Sequence, residues 1–449
     1  MNLSCFKAYD IRGRFPDVLN EDLARRIGCA YAAEFRPRRV VIGHDARLSG
    51  PSLYRALAEG LLAAGTDVTG IGLCGTEEIY FASFAEDFDG GIMVTGSHNP
   101  ADENGFKLVR KGAVPVSGDS GLQSIRERVA SDSFMRSERR GRYAEADFRD
   151  DYVEHLLSYV RPDSLRPFRI VADAGNGTAG LVMRKLAERL PFDIELIHGE
   201  PDGSFPDGVP NPLLPEKRAR TAQAVRAYGA DFGLAWDGDF DRCFFYDAQG
   251  RFIEGYYLVG LIAEALLERH PGAKIIHDPR LIWNTQAVVE AAGGIPVESR
   301  TGHAFIKERM RAEDALYGGE MSAHHYFRRF AYCDSGMISW LLVAQRLSTT
   351  GRTLAECVND RMEAFPCSGE INSRVEDGQA VMERVERRYA AEPHAVVSRI
   401  DGLSVAFPDW RFNLRPSNTE PVLRLNVESR GDGALMKEKT EELLAMIRQ

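Results

Sequence analysis

Short runs of β-branched and apolar residues alternate along the chain with stretches of helical periodicity: Val40-Val41-Ile42-Gly43, then the amphipathic stretch 52–64, then the run 68–73, then Gly91-Ile92-Met93-Val94. An apolar run bounded by turn residues reads as a strand buried on both faces, and a 3.6-residue apolar stripe as a helix laid upon it. The alternation therefore predicts α/β layers over a mostly parallel sheet. The pattern restarts after the charged stretch 136–142, with a helix over 152–160, a strand at Ile170-Val171-Ala172 and a helix over 178–189, which puts a boundary near residue 150. The strand Phe232-Gly233-Leu234-Ala235-Trp236, an acidic loop and the run 243–246 close a second domain before a turn at Gly250. A third α/β unit runs from a helix over 257–268, through Lys274-Ile275-Ile276 and a helix over 335–347, to about Phe365, where Pro366 and the small residues behind it read as a linker. The last segment, a helix over 380–390, strands at 396–398, 404–407, 411–414 and 422–427 and a closing helix, reads as a smaller α+β domain. The expected fold class is thus α/β, three similar domains with mixed sheets (1–150, 151–250, 251–366) and a C-terminal α+β domain (367–449). No period of 20 to 50 residues recurs, which excludes a solenoid.

Composition changes this picture little. Of 449 residues 44% are hydrophobic and 27% charged, as in an ordered globular chain, and the length calls for several cores. A net charge of -10 argues against a nucleic-acid or anionic-membrane surface, while leaving room for a small anionic substrate held by a few local Arg and Lys. Cys5, Cys29, Cys74, Cys243, Cys333, Cys357 and Cys367 are scattered, without CxxC or Cys/His spacing, and read as reduced thiols. The N-terminus carries no basic n-region or apolar h-region, and no stretch is long enough to span a bilayer, so the cytoplasm is the expected compartment.

Candidate chemistry sits in four loops. Thr95-Gly96-Ser97-His98-Asn99-Pro100 follows an apolar strand, at the strand end where α/β domains place ligands. A serine hydroxyl is a poor nucleophile until a neighbour takes its proton or it already carries the group to be transferred; His98 is adjacent and Lys107 lies ten residues on. The same residues also suit an ordinary turn. Asp237-Gly238-Asp239-Phe240-Asp241-Arg242 again follows a buried strand. Three carboxylates at this spacing repel one another unless a cation neutralises them, and an all-oxygen set favours a hard ion such as Mg²⁺. Arg242 adds a planar fork for a phosphoryl oxygen. Haloacid-dehalogenase-type phosphatases also place Asp-x-Asp after a strand, but the Thr they carry next is absent.

Gly318-Gly319-Glu320-Met321-Ser322-Ala323-His324 offers Glu320 and Ser322 as partners for vicinal sugar hydroxyls, against the plain alternative of a glycine turn. Thr301-Gly302-His303 is ambiguous in the same way. Arg415-Pro416-Ser417-Asn418-Thr419-Glu420-Pro421, between two expected strands, supplies Arg, hydroxyls and turn N–H groups for a non-reacting phosphate, or is a proline-bracketed hairpin. The set is more telling than its members: nucleophile, cation site, hydroxyl reader and phosphate anchor fall one to each expected domain.

In order and spacing these loops resemble the α-D-phosphohexomutase superfamily over essentially the whole chain, and Phe6-Lys7-Ala8-Tyr9-Asp10-Ile11-Arg12-Gly13 resembles its opening. Gly43-His44-Asp45-Ala46-Arg47, Pro210-Asn211-Pro212-Leu213-Leu214-Pro215 and Lys307-Glu308-Arg309-Met310-Arg311 resemble the bacterial phosphomannomutase branch, which feeds GDP-mannose synthesis. The resemblance implies four domains around a central cleft and hexose phosphates as small-molecule partners. It implies that Ser97 is phosphorylated and, with Asp237, Asp239 and Asp241, binds one Mg²⁺ per chain, and that Arg242 sits beside the transferring group. It further assigns Glu320 and Ser322 to sugar O3 and O4 with His303 and His324 nearby, Arg415, Ser417, Asn418 and Thr419 to the distal phosphate, and Tyr9, Arg12, Lys107 and Arg280 to the cleft. Two positions depart from the family: Phe240 stands where glycine is usual, and Gly96, expected to be harmless, where alanine is frequent.

The implied reaction moves a phosphoryl group between O6 and O1 of mannose through a hexose 1,6-bisphosphate, mostly by positioning and charge neutralisation. Reading O3 and O4 tolerates both orientations of the intermediate and is blind to C2. A phosphoglucomutase or dual-specificity enzyme is therefore the nearest alternative, with phosphoglucosamine mutase, a metal-dependent phosphatase and a silent sugar-phosphate sensor further off.

Overall fold

A computed structural model describes residues 2–134, 137–417 and 422–449. The chain divides into two compact units, Met1–Phe252 with Tyr326–Gly351, and Ile253–His325 with Arg352–Gln449. Among the described residues, no helix is long and apolar enough to cross a membrane.

In the first unit one sheet runs in the order Ile11–Arg14, Glu103–Arg110, Gly90–Val94, Arg39–His44, Asp67–Leu73, Tyr143–Glu145. Arg39–His44 pairs parallel with both Gly90–Val94 and Asp67–Leu73, whereas Glu103–Arg110 runs antiparallel. Gly90–Val94 is buried throughout, which is why its sequence shows no polar alternation. The helices Glu21–Phe35 and Gly50–Ala63 pack Leu23, Ile27, Tyr31, Leu53, Leu57 and Leu61 into one core with Val40 and Ile42. Asn20 caps the first of these helices by accepting from Leu23 N–H at 3.0 Å. A second sheet sets Phe232–Trp236 parallel to Arg169–Asp173 and antiparallel to Cys243–Asp247, so both chemistry-bearing loops leave central, fully buried strands.

In the second unit Lys274–His277 pairs parallel with Ile295–Glu298 and Tyr317–Gly319. The C-terminal sheet, Ile371–Arg374, Val422–Ser429, Trp410–Pro416, Leu403–Ala406, Val396–Ser398, is antiparallel throughout and is backed by the helices Gly378–Tyr389 and Gly433–Ile447. The α/β class with mixed sheets and an α+β C-terminal domain is therefore what the chain adopts.

The structure differs from local expectation at the linker. The stretch after Pro366 is no free linker: Ser368 N donates to Val427 O and Val427 N to Ser368 Oγ, each at 2.9 Å, and Cys367 bridges to Glu428, which lays this segment along the C-terminal sheet. From there the chain enters Ile371–Arg374, an edge strand with one aliphatic residue and therefore without an apolar signature. All seven cysteines are free thiols.

Candidate active site

Ser97 leaves the C-terminal end of Gly90–Val94 with φ +49°, a left-handed conformation that a side-chain-bearing residue adopts only when its surroundings impose it. Those surroundings are explicit. Ser97 N donates to Thr95 Oγ1 at 2.8 Å, Thr95 Oγ1 donates to Asp45 Oδ2 at 2.6 Å, and Gly96 N donates to the same oxygen at 3.2 Å. From the other side the fully buried Arg47 guanidinium donates to the carbonyls of Ser97, Asn99, Pro100 and Glu103. Gly96 is what lets it in: a Cβ there would lie 2.3 Å from Arg47 Cζ.

The serine hydroxyl lies 3.0 Å from Asp237 Oδ2 and 3.1 Å from His98 Nδ1. Asp237, Asp239 and Asp241 are all buried, with one oxygen of each within 4.8 Å of the others. Two cations answer three carboxylates. Lys107 Nζ donates to Asp239 Oδ2 at 2.6 Å and to Asp241 Oδ2, and Arg242 donates to Asp237 Oδ2 through Nε at 2.9 Å and Nη2 at 2.7 Å. Burial opposes the Lys107 charge, but Asp239 and Asp241 outweigh it and raise the amine above the usual lysine value, so Lys107 is a fixed ammonium. Burial, then the Arg242 and Arg12 charges, drive His98 well below the ordinary histidine range; its Nδ1 accepts from Arg242 Nη2, and the ring is neutral. Burial also works against the Asp239 charge, yet Lys107 and the hydrogen bonds it shares with Thr76 hold that carboxyl low, while burial and the Asp239 charge push Asp241 up to about 7. Arg12 pairs with Asp10 at 2.8 Å and donates to Thr95 O, and Tyr9 lies half-buried in the bend just ahead.

The donor set suits a hard divalent cation. All donors are carboxylate oxygens, they converge, and Asp239 Oδ1 is buried without a hydrogen-bond partner among the described residues.

The second unit gathers the remaining residues around Arg280. Its guanidinium donates to Asp278 through Nε at 3.1 Å and Nη2 at 2.8 Å, to Glu370 Oε2 at 3.3 Å and to Ser322 Oγ at 3.3 Å, and lies 3.7 Å from Glu320. Glu320 and Ser322 thus converge on one cation. Glu320 Oε1 also accepts from Gly302 N at 3.0 Å, next to His303, the first residue of the helix His303–Glu313, and Glu320 N donates to His324 O at 2.9 Å. Arg415 Nη2 and Arg424 Nη1 reach Glu370 at 3.1 and 3.3 Å, and Arg424 Nη2 reaches Ser417 Oγ at 3.3 Å. Burial raises the Glu370 carboxyl, but Arg280, Arg415 and Arg424 together hold it below the usual range; burial and the Arg280 charge lower Arg415. Asn418 and Thr419 lie outside the described residues.

Sequence reasoning overlooked Arg47, Asp45, Thr76, Glu77, Asp278, Glu370 and Arg424. Glu77 is fully buried and accepts from the N–H groups of Gly336 and Met337, at 2.7 and 3.2 Å, seating the helix Gly336–Thr350 against the backbone of Phe240 and Arg242. Single residues of this kind leave no local pattern; the one available signal was Asp45-Ala46-Arg47, quoted as branch resemblance and given no role.

Comparison with known proteins extends over the chain. Models of the phosphoglucomutase/phosphomannomutase family match residues 4–136 (alpha/beta/alpha domain I), 150–250 (domain II), 254–365 (domain III) and 370–445 (C-terminal domain). The chain is 60% identical over 454 residues to a phosphomannomutase of Salmonella typhimurium, covering 100% of this chain and 99% of that one. It is 58% identical over 448 residues to a protein of Xanthomonas campestris named phosphohexose mutases, covering all of both. Among solved structures, a phosphoglucomutase/phosphomannomutase family protein from Burkholderia thailandensis matches with a TM-score of 0.90 at 33% identity, covering 100% of this chain and 97% of that one.

Proposed function

The chain belongs to the phosphoglucomutase/phosphomannomutase family and is a phosphoryl-transferring mutase, and from this premise we propose that it interconverts mannose 6-phosphate and mannose 1-phosphate through a phosphoserine at Ser97, supplying GDP-mannose synthesis in the cytoplasm. The observation that carries the reading is the placement of the Ser97 hydroxyl against Asp237, the first member of a buried carboxylate trio, with Arg242 and Lys107 at hand to balance phosphate charge.

In the proposed cycle phospho-Ser97 gives its phosphoryl group to the free hydroxyl of a hexose 6-phosphate. The P–O bond to Ser97 breaks, a P–O bond to the sugar forms, and the proton lost by the sugar hydroxyl ends on Ser97 Oγ. The second phosphate of the resulting 1,6-bisphosphate then returns to Ser97 by the reverse displacement. Arg242 and Lys107 hold positive charge beside the serine throughout, and neutral His98 and Asp237 are the proton acceptors within hydrogen-bond reach of Oγ. Asp237, Asp239 and Asp241 would hold one Mg²⁺ with an oxygen of phospho-Ser97; such an ion supplies charge neutralisation to the transferring group. To the second unit's cluster we assign recognition: Glu320 and Ser322 for O3 and O4, with His303 and His324 beside them, and Arg415, Ser417, Asn418 and Thr419 for the phosphate that does not react. Tyr9, Arg12 and Arg280 complete the proposed substrate contacts.

The name phosphohexose mutases carried by the Xanthomonas relative favours a second reading, use of both mannose and glucose phosphates. A coupled mutase assay on the two hexose 1-phosphates, with Ser97→Ala as control, tests both. Turnover should fall by about 10⁴-fold or more in the variant, the scale on which loss of a nucleophile acts. Unchanged turnover defeats the phosphoserine route, and stoichiometric release of inorganic phosphate without isomerised product defeats the mutase reading.

A further inference from the structure

The loop that carries the three carboxylates is held in place by the first turn of a helix from a different sheet. The helix Thr76–Ala85 begins at Thr76, after Gly75, whose N–H donates to Glu78 Oε2 at 2.8 Å. Thr76 is fully buried. Its backbone N–H donates to Asp239 O at 3.1 Å, and its Oγ1 donates to Asp239 Oδ2 at 2.5 Å. The same carboxylate oxygen accepts from Lys107 Nζ at 2.6 Å, and Lys107 also reaches Thr76 Oγ1 at 3.4 Å. With Oδ2 occupied by two donors, the carboxylate plane is fixed and Oδ1 is presented without a hydrogen-bond partner among the described residues.

The next residue of the loop is seated by the same turn. Phe240 is fully buried with φ +49°, a left-handed conformation that a side-chain-bearing residue adopts only when its surroundings hold it there. Its ring lies flat against Gly75, where a Cβ would come within 2.0 Å of Phe240 Cε1. Gly75 and Thr76 therefore fix two consecutive residues of the acidic loop, one by shape and one by hydrogen bonds.

We propose that Thr76 is a positioning residue for the cation site: its hydroxyl orients Asp239 so that Oδ1 faces the ion, and Gly75 with the Phe240 ring keeps the loop in register with it. The proposal rests on the reading of the trio as a divalent-cation site. Partners that orient a ligand from behind typically change metal affinity by about 10- to 100-fold when removed.

Mn²⁺ serves as the probe, titrated into the full-length protein without sugar phosphate and followed by the loss of its free electron-paramagnetic-resonance signal. Wild type should bind one Mn²⁺. Thr76→Val, which keeps the shape and removes the hydroxyl, should weaken binding by about tenfold or more, while Thr76→Ser should bind within a fewfold of wild type. Gly75→Ala keeps the hydroxyl but collides with the Phe240 ring, and should also weaken Mn²⁺ binding. Thermal melts of all variants are read alongside, and Thr76→Ala takes the place of Thr76→Val if that chain does not fold. Equal affinity in Thr76→Val and wild type overturns the positioning role and leaves the cation site standing; so does a Thr76→Ser variant as weak as Thr76→Val, or an unaffected Gly75→Ala. Absence of Mn²⁺ binding in wild type overturns the cation site and this proposal together.

Discussion

Asp237, Asp239 and Asp241 in the first unit, and Arg280, Arg415 and Arg424 in the second, are both like-charge triplets, yet they are neutralised in different ways. The carboxylates are fully buried and take their counter-charges from two separate side chains, Lys107 on an antiparallel strand far away in sequence and Arg242 at the loop's own end. Arg280 and Arg415 are also buried, and all three guanidiniums share one acid, Glu370, with Arg280 held by Asp278 as well. In each triplet one charge is disfavoured: Asp241 by burial and Asp239, Arg415 by burial and Arg280. An added cation relieves the first and an added anion the second. Geometry follows the same division. The acidic loop is locked by backbone contacts at Phe240 and Thr76, as a site for a small ion with strict coordination requires, whereas the arginines use long side chains and planar forks, as recognition of a phosphate requires.

The sharpest way to break this comparison is to remove the divalent cation. Chelation with EDTA, checked by restoration with Mg²⁺, should depress turnover by about 10³-fold, since such an ion supplies several kcal/mol of charge stabilisation. It should leave binding of inorganic phosphate to the second unit's arginines unchanged in a calorimetric titration. Loss of phosphate binding under the same chelation would show that the two triplets are not independent.

Next in size is Arg415→Ala. A charge-assisted hydrogen bond to phosphate contributes about 1.5–3 kcal/mol, so KM for the hexose phosphate should rise by about 10- to 100-fold with kcat changed far less. Glu370 keeps Arg280 and Arg424 as partners, so the fold should survive, which a thermal melt verifies. A fall in kcat at constant KM would move Arg415 from recognition to chemistry and erase the contrast between the two clusters.

What was legible from the chain follows from where each signal is concentrated. Strands at Gly90–Val94 and Phe232–Trp236 announce themselves because every position is buried and apolar or small, and Arg39–His44 does so through its buried centre, Val40 to Gly43. Glu103–Arg110 escapes because Asn104-Gly105 resembles a turn, although Asn104 is buried and its Nδ2 donates to Ser49 Oγ at 2.9 Å. The chemistry divides in the same manner. Ser97 and the three Asp stand in short consecutive motifs behind apolar strands, so residue type and spacing expose them. Thr76 meets Asp239 across 163 positions and Arg47 meets Ser97 across 50, and only the fold brings them together. The left-handed backbone at Ser97 and Phe240 is invisible for a further reason, since neither residue favours it and each is held there by contacts from elsewhere.

Gly96→Ala is the mildest test, and it addresses the first unit's rigidity without touching a charge. The new methyl group would stand 2.3 Å from both Cζ and Nε of Arg47, whose guanidinium has little freedom to retreat because it holds four carbonyls of the 97–103 loop and packs over the Phe205 ring, 5.5 Å from its centroid. Overpacking of this kind costs about 1–3 kcal/mol, and the loop is the cheapest part to move. If the carboxylate triplet is a locked site, the displacement should appear as a severalfold fall in kcat, with KM near wild type, because the arginine cluster is untouched. Arg47→Lys, which keeps the charge but gives up the planar fork that reaches several carbonyls at once, should act in the same direction. A Gly96→Ala enzyme with wild-type kcat would mean that the loop adapts, and that rigidity at Ser97 is not what separates the acidic site from the arginine cluster.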